Sequence, residues 1–195
     1  MKYILILLTL LPSLFGDATD KAEDRINVKG PLKFSDLNFD LAWSARPSDA
    51  YYIQEYVPAG ESVENFHQML TIHLFNVGID PRDAVQQKVQ ELERRKTTDV
   101  VCNYAVTESP DGKEFIVDFL LSESKAEKIV AEFNVYRYKQ VDLGPGKKGI
   151  LVYAFSKRSY GDQVTDFLKS LKTARSAYLN QMISAEMPVV SIKGN

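Results

Sequence analysis

One run of the sequence, Ile150–Phe155, is apolar or aromatic at every position. Successive side chains of a β-strand point to opposite faces of a sheet, so a strand of this composition needs apolar cover on both faces. A second run, His67–Phe75, is also largely apolar on both faces and predicts another interior strand. The chain is therefore expected to build a central sheet with helices packed against at least part of it.

The remaining patterns predict further strands and two helices. Asp80 can cap a helix that has Pro81 in its first turn, and a last helix is predicted over about residues 162–182. Ser109–Gly112 predicts an antiparallel hairpin turn, and Arg46–Asp49 predicts a second turn. The other strands are expected at Lys33–Trp43, Tyr51–Val57, Val100–Glu108, Glu114–Leu121 and Ile129–Val141. Together these patterns predict an α+β fold with a mainly antiparallel central sheet and a long C-terminal helix.

The N-terminus has the pattern of a secretory signal peptide. Lys2 is followed by the apolar stretch Ile4–Leu11 and by small residues up to Ala18, where polar chain has already begun. This predicts a signal peptide over residues 1–18, a polar and mobile leader over 19–29, and one domain over 30–195. The mature protein is then expected to be periplasmic or secreted and to lack a transmembrane segment.

Composition narrows the class of protein. The chain has 195 residues and a formal net charge of −2, which suits one domain and gives no basic patch to attract nucleic acid. Cys102 is the only cysteine, so no internal disulfide is possible. Its neighbours Val100 and Val101 predict that it is a small buried residue of a strand rather than a reactive thiol.

No catalytic or metal-binding pattern is present in the sequence. The only histidines, His67 and His73, would share one strand face about 20 Å apart at about 3.3 Å per residue, too far to chelate one metal. There is no G-x-S-x-G nucleophile elbow, and Gly144–Lys148 resembles a phosphate loop only in composition and predicts a hairpin turn. We therefore expect no cofactor, no metal and no catalytic residue that can be named.

One strand face offers a candidate binding surface. Glu132, Asn134, Tyr136 and Tyr138 alternate with apolar residues, which predicts a polar and aromatic outer surface. The alternative is an ordinary solvated sheet face that binds nothing. The candidate binding residues are Asn134, Tyr136, Tyr138, Arg137 and His73. A lone carboxylate, Asp118, is expected to face solvent or to pair with a cation such as Arg137.

A short stretch carries a resemblance to a known family. Glu55–Phe66, continuing to Met69-Leu70-Thr71, resembles small secreted bacterial proteins of the PsbP/DcrB-like superfamily, although Phe66 stands where a tryptophan is expected. The order of elements from Gly30 to Met182 is also similar. The resemblance implies an α/β/α sandwich and an accessory role, such as docking on a membrane complex or holding a partner segment. It implies no catalytic residues.

Two hypotheses for function follow. The first is a non-enzymatic accessory protein of the bacterial cell envelope, which docks another envelope protein or component. The second is a small periplasmic hydrolase or ligand carrier whose site is assembled from distant residues, with His73, Asp118 and the exposed tyrosines as the first candidates. An apolar pocket that holds His73 beside a carboxylate or a serine would favour the second hypothesis, and a sheet with a contiguous apolar patch and no pocket would favour the first.

Overall fold

The computed structural model describes residues 22–125 and 128–192, without the side chains of residues 125 and 128. The predicted signal peptide lies outside these residues. The described part of the chain forms eight strands and two α-helices. In chain order they are β1 (Leu32–Phe34), β2 (Leu37–Ser48), β3 (Tyr51–Val57), β4 (Gln68–Phe75), α1 (Pro81–Lys96), β5 (Asn103–Glu108), β6 (Glu114–Lys125), β7 (Lys128–Asp142), β8 (Lys148–Tyr160) and α2 (Val164–Ser184).

The strands form one antiparallel sheet in the order β1-β2-β3-β4-β8-β7-β6-β5. Each half of the sheet, β1–β4 and β5–β8, is a meander of sequential neighbours. The halves join where β4 pairs with β8, from Gln68 opposite Lys157 to Phe75 opposite Ile150. The two runs that are apolar on both faces therefore lie at the centre, as the sequence predicts, and the sheet curves into a half-barrel.

The two helices pack on opposite faces of the sheet. On one face, Phe167 and Leu171 of α2 pack among the aromatic and aliphatic side chains of the central strands, such as Phe133 and Phe155. On the other face, Val85 and Leu92 of α1 pack in a smaller core with side chains of β4, β6, β7 and β8. Alternation of side chains along each strand supplies both cores, because neighbouring residues face opposite ways.

The predicted α/β/α sandwich is wrong. The protein is mostly antiparallel sheet, with one short helix and one C-terminal helix that do not form two helical layers. The reason is coverage: the main contacts of α1 are with β5, β6 and β7, and those of α2 are with β7 and β8. On the α2 face, the buried residues Ile26 and Val190, which precede β1 and follow α2, complete the core in place of a further helix. The antiparallel sheet and the C-terminal helix of the same prediction are present.

Three local predictions also differ from the structure. Arg46–Ser48 belongs to β2 instead of a turn, because register shifts before and within this stretch let it follow the edge of the sheet. Cys102 is buried just before β5 and not in a strand. The end of the expected mobile leader is held in place, since Ile26 is fully buried and its carbonyl accepts a hydrogen bond from the Ser191 amide. No helix in the described residues is long and apolar enough to cross a membrane.

Candidate ligand-binding site

A cavity of about 30 Å³ lies between α1 and the sheet. On the scale where about 10–15 Å³ holds one water molecule, this is room for a group of very few atoms. Its walls come from both halves of the sheet and from the helix. The lining residues are His73, Phe75, Ile79, Ala84, Gln87, Lys88, Glu91, Tyr136, Tyr138 and Val152. The wall is therefore largely apolar and aromatic, with a small number of polar groups, which is the usual make-up of a small-molecule site.

His73 lies in the wall of this cavity on the interior strand β4. Its side chain is 3% exposed, and its Nδ1 is 2.9 Å from the Tyr51 hydroxyl. The other ring nitrogen, Nε2, is buried and has no hydrogen-bond partner among the described residues. Burial, and then the positive charge of Lys88, lower the pKa of His73 to about 3. The imidazole is therefore neutral near pH 7 and has one unused polar atom, which is costly to bury without a partner.

Lys88 is placed opposite the sheet by the buried stripe of α1. Its side chain is only 7% exposed, and its Nζ lies 2.9 Å from a carboxylate oxygen of Glu91, one turn further along the helix. The same ammonium sits 4.6 Å from the ring centre of Phe119 and 5.5 Å from that of Tyr136. Cation–π contacts and the Glu91 carboxylate together hold a charge that would otherwise be expensive to remove from water.

Tyr136 and Tyr138 bring two phenol groups from β7 to the same cavity. Burial, followed by the negative charge of Glu132, raises the pKa of Tyr136 well above its ordinary value. Burial, followed by the negative charge of Glu91, raises the pKa of Tyr138. Both hydroxyls therefore stay protonated at neutral pH and can donate hydrogen bonds.

A polar stretch continues from the cavity along the same sheet face. The Ser156 hydroxyl donates to Oδ1 of the fully buried Asn134 at 2.6 Å, whereas Nδ2 of that amide has no partner in the described part of the chain. Next to it, the Arg158 guanidinium donates to the Glu132 carboxylate. Burial raises the pKa of the half-buried Glu55 to about 7, and the positive charge of Arg158 offsets part of this rise. A buried sheet face with unsatisfied polar atoms is unusual for a purely structural core.

A protein-family model matches residues 26–187. The chain belongs to that family. The match runs from before β1 to just beyond α2 and includes every residue that lines the cavity. A search of curated proteins and a search of solved structures each found no match.

Nothing in these comparisons points to the PsbP/DcrB-like superfamily, and that resemblance is wrong. The stretch on which it was based, Glu55–Phe66, forms the end of β3 and the turn that leads to β4. A Pro-Ala-Gly turn after a strand is favoured by backbone chemistry alone, because Pro fixes φ and Gly permits positive φ. Such a turn therefore recurs in unrelated antiparallel sheets and does not identify a family.

Four of the five candidate residues lie on one face of the sheet, the α1 face. These are His73, Asn134, Tyr136 and Tyr138, and three of them line the cavity. The expectation that this face is an outer surface is wrong, since His73, Asn134 and Tyr138 are buried. The reason is the position of α1, which packs over a strand face that has a polar pattern in the sequence.

Arg137 lies on the opposite face of the sheet and caps the C-terminal end of α2. Its guanidinium donates to the carbonyl oxygens of Met182, Ile183 and Ala185 at 2.9–3.1 Å and pairs with Glu114 at 2.6 Å. Carbonyl groups at a helix C-terminus lack partners within the helix, and a cation there stabilises them. Arg137 is therefore a helix cap and not part of the cavity.

Asp118 and His67 also have ordinary structural surroundings. Asp118 pairs with Arg175 of α2 at 2.6 and 2.8 Å, so its partner is not Arg137. His67 is exposed before β4, beside Glu61 and the Tyr160 ring. Within the described residues no group of three or more His, Cys, Asp or Glu side chains could hold a metal. The Gly144–Lys148 segment makes the turn between β7 and β8, as predicted.

Sequence reasoning missed Lys88, Glu91 and Tyr51 as parts of the site. A signal for Lys88 was present, because it lies three residues after Val85 and four before Leu92, on the apolar stripe of α1. A lysine in such a stripe has to be paired or to serve a site. No comparable signal marks Tyr51, whose role depends on the pairing of β3 with β4.

Proposed function

We propose that this protein is a non-enzymatic binding protein of the bacterial cell envelope that holds a small molecule between α1 and the sheet. The observation that carries the proposal is the buried His73 Nε2, which has no hydrogen-bond partner among the described residues and belongs to a cavity with an apolar wall. A ligand atom that bonds this nitrogen would remove the cost of leaving it unpaired. The envelope location is part of the proposal and rests on the signal-like residues 1–18.

Binding is favoured over hydrolysis by the chemistry around His73. Its hydrogen-bond partner is a tyrosine hydroxyl, Tyr51, whose pKa is raised by burial and then by the negative charge of Glu55. A general base works best when its pKa lies near the operating pH, and a histidine pKa of about 3 is far below that. The pair is therefore poorly suited to activate a nucleophile but well suited to orient a bound molecule.

Docking of a partner through the Tyr136 and Tyr138 face is less favoured. That hypothesis needs the two rings on an outer surface, whereas Tyr138 is buried and both rings line the cavity under α1. The cavity with His73 in its wall is the feature that favours a carrier.

Nuclear magnetic resonance of the mature protein, with a mixture of small aromatic and aliphatic fragments, tests the proposal. We expect resonances of His73 and Tyr136 to shift in the wild type. Ala84→Leu should abolish the shifts, because Ala84 lines the cavity and a larger side chain fills it. The matched control is Ala177→Leu on the exposed side of α2, which should behave as the wild type. Absence of shifts in the wild type, or their persistence in Ala84→Leu, would contradict the proposal.

A further inference from the structure

The polar groups that line the cavity are mostly hydrogen-bond donors. Lys88 has three N–H groups, of which the Glu91 contact uses one. Tyr136 and Tyr138 contribute hydroxyl groups whose raised pKa keeps them protonated. The Tyr51 hydroxyl can donate to His73 Nδ1, and in that tautomer Nε2 carries the proton and is a fourth donor. A ligand that satisfies these groups has to be rich in acceptors.

The ion-pair partner of Lys88 in the cavity wall, Glu91, can be replaced by another anion. The Glu91 side chain is 27% exposed, so its carboxylate reaches solvent, while the Lys88 side chain that it neutralises is 7% exposed. Glu91 can turn into water once another anion neutralises Lys88, because water then replaces the bond that its carboxylate gives up. Lys88 cannot follow it, since its ammonium is held against the Phe119 and Tyr136 rings. The arrangement leaves a buried cation whose counter-ion is exchangeable.

We propose that the ligand is a small monocarboxylic acid with an apolar or aromatic body, whose carboxylate takes the place of Glu91 on Lys88. The inference rests on the proposed function and names the ligand class for the same site. The carboxylate accepts from Lys88 and from the cavity hydroxyls, and the body packs against the apolar wall of Phe75, Ile79 and Val152. A cation would be repelled by Lys88, and a neutral ligand would leave the Lys88–Glu91 pair intact.

The size of the cavity sets how the ligand enters. At about 30 Å³ it accommodates a head group but not a whole molecule. The body therefore displaces side chains at the α1 edge, where Gln87 and Glu91 lie on successive turns. One movement of Glu91 away from Lys88 therefore has two effects: it frees the ammonium group for the ligand carboxylate, and it opens space for the ligand body.

Calorimetric titration with matched acid and amide probes tests the inference. The probes are benzoate and hexanoate, each compared with benzamide and hexanamide. We expect each acid to bind the wild type at least tenfold more tightly than its amide. Lys88→Met keeps the apolar stem and removes the charge, and should weaken acid binding at least tenfold without changing amide binding. Glu91→Gln removes the competing carboxylate and should strengthen acid binding several-fold.

A control variant tests whether the effect is specific to Lys88, and the pattern of results shows whether the ligand class or the binding function itself is wrong. Lys169→Met removes an exposed cation on α2 and should leave acid affinity unchanged. Urea unfolding of each variant checks that it is folded. Equal binding of acid and amide, unaltered acid affinity in Lys88→Met, or unaltered acid affinity in Glu91→Gln would each overturn the acid ligand while the binding function stands. If neither acid nor amide binds the wild type, both proposals fail.

Discussion

Glu55 is a half-buried carboxyl group on the α1 face, close to Arg158 and Glu132. Burial raises its pKa from 4.5 to about 7 in the folded protein. Between these two values the unfolded chain has released the proton and the folded protein still holds it. Stability therefore falls as the pH rises through this window and reaches a plateau above about 7. The contribution of Glu55 to the stability of the folded state is therefore smallest when its carboxyl group is ionised, at the alkaline end of this pH window.

Glu55→Gln is expected to remove this pH dependence, because the amide imitates the protonated carboxyl and does not titrate. Relative to the variant, the wild type should lose about 2 kcal/mol of unfolding free energy between pH 4.5 and pH 8, less than the full shift implies because the group is partly exposed. Urea unfolding at several pH values measures the difference. Glu186→Gln, at an exposed position after α2, is the control. Parallel curves for the wild type and Glu55→Gln would contradict the raised pKa.

At the scale of the element, α1 forms one wall of the cavity and depends on its first turn. The Asp80 carboxylate accepts a hydrogen bond from the Arg82 amide at 2.8 Å, and Pro81 occupies the first helical position. A side-chain cap satisfies one of the backbone N–H groups that have no partner in the first turn. Because Ala84, in this first turn, lines the cavity together with Phe75 of β4, that part of the cavity wall depends on the cap.

Asp80→Ala is expected to destabilise the protein by about 1 kcal/mol. It should also speed amide hydrogen exchange in the first turn of α1, where the freed N–H groups fray. Asp80→Asn keeps a capping oxygen and should lose only a few tenths of a kcal/mol. Urea unfolding and exchange followed by nuclear magnetic resonance measure both effects. If Asp80→Asn is as destabilised as Asp80→Ala, the negative charge near the helix dipole matters more than the hydrogen bond.

The positions of the helices and strands could largely be predicted from the sequence. Which face of the sheet each helix covers could not. Alternation and capping residues give α1, α2 and most strands close to their observed bounds, because these signals are local. Burial of the Asn134 to Tyr138 face depends on where α1 packs, and the pairing of Tyr51 with His73 depends on β3 lying beside β4. Such contacts join residues about 20 or more positions apart. Local periodicity contains no information about them.

At the scale of the whole molecule, two meanders are joined by one pair of strands. β4 ends at Phe75 and β8 begins only at Lys148, yet the two strands share eight residue pairs at the centre of the sheet. The cavity crosses this junction, since His73 belongs to the first meander and Tyr136 to the second. The core on the α2 face crosses it too, because Leu70 and Phe133 belong to the same cluster. Neither meander can bury its apolar residues alone.

The shared core predicts that both halves unfold in one transition. Trp43, the only tryptophan, lies in β2 and reports on the first meander, and circular dichroism reports mainly on the two helices. Urea transitions followed by the two signals should coincide in the wild type, in Leu70→Ala and in Phe133→Ala. Each variant should lose about 3 kcal/mol, because each leaves a cavity in the same cluster. If Phe133→Ala lowers the midpoint seen by dichroism and leaves that of Trp43 in place, the meanders unfold independently and the cavity between them is not held by a common core.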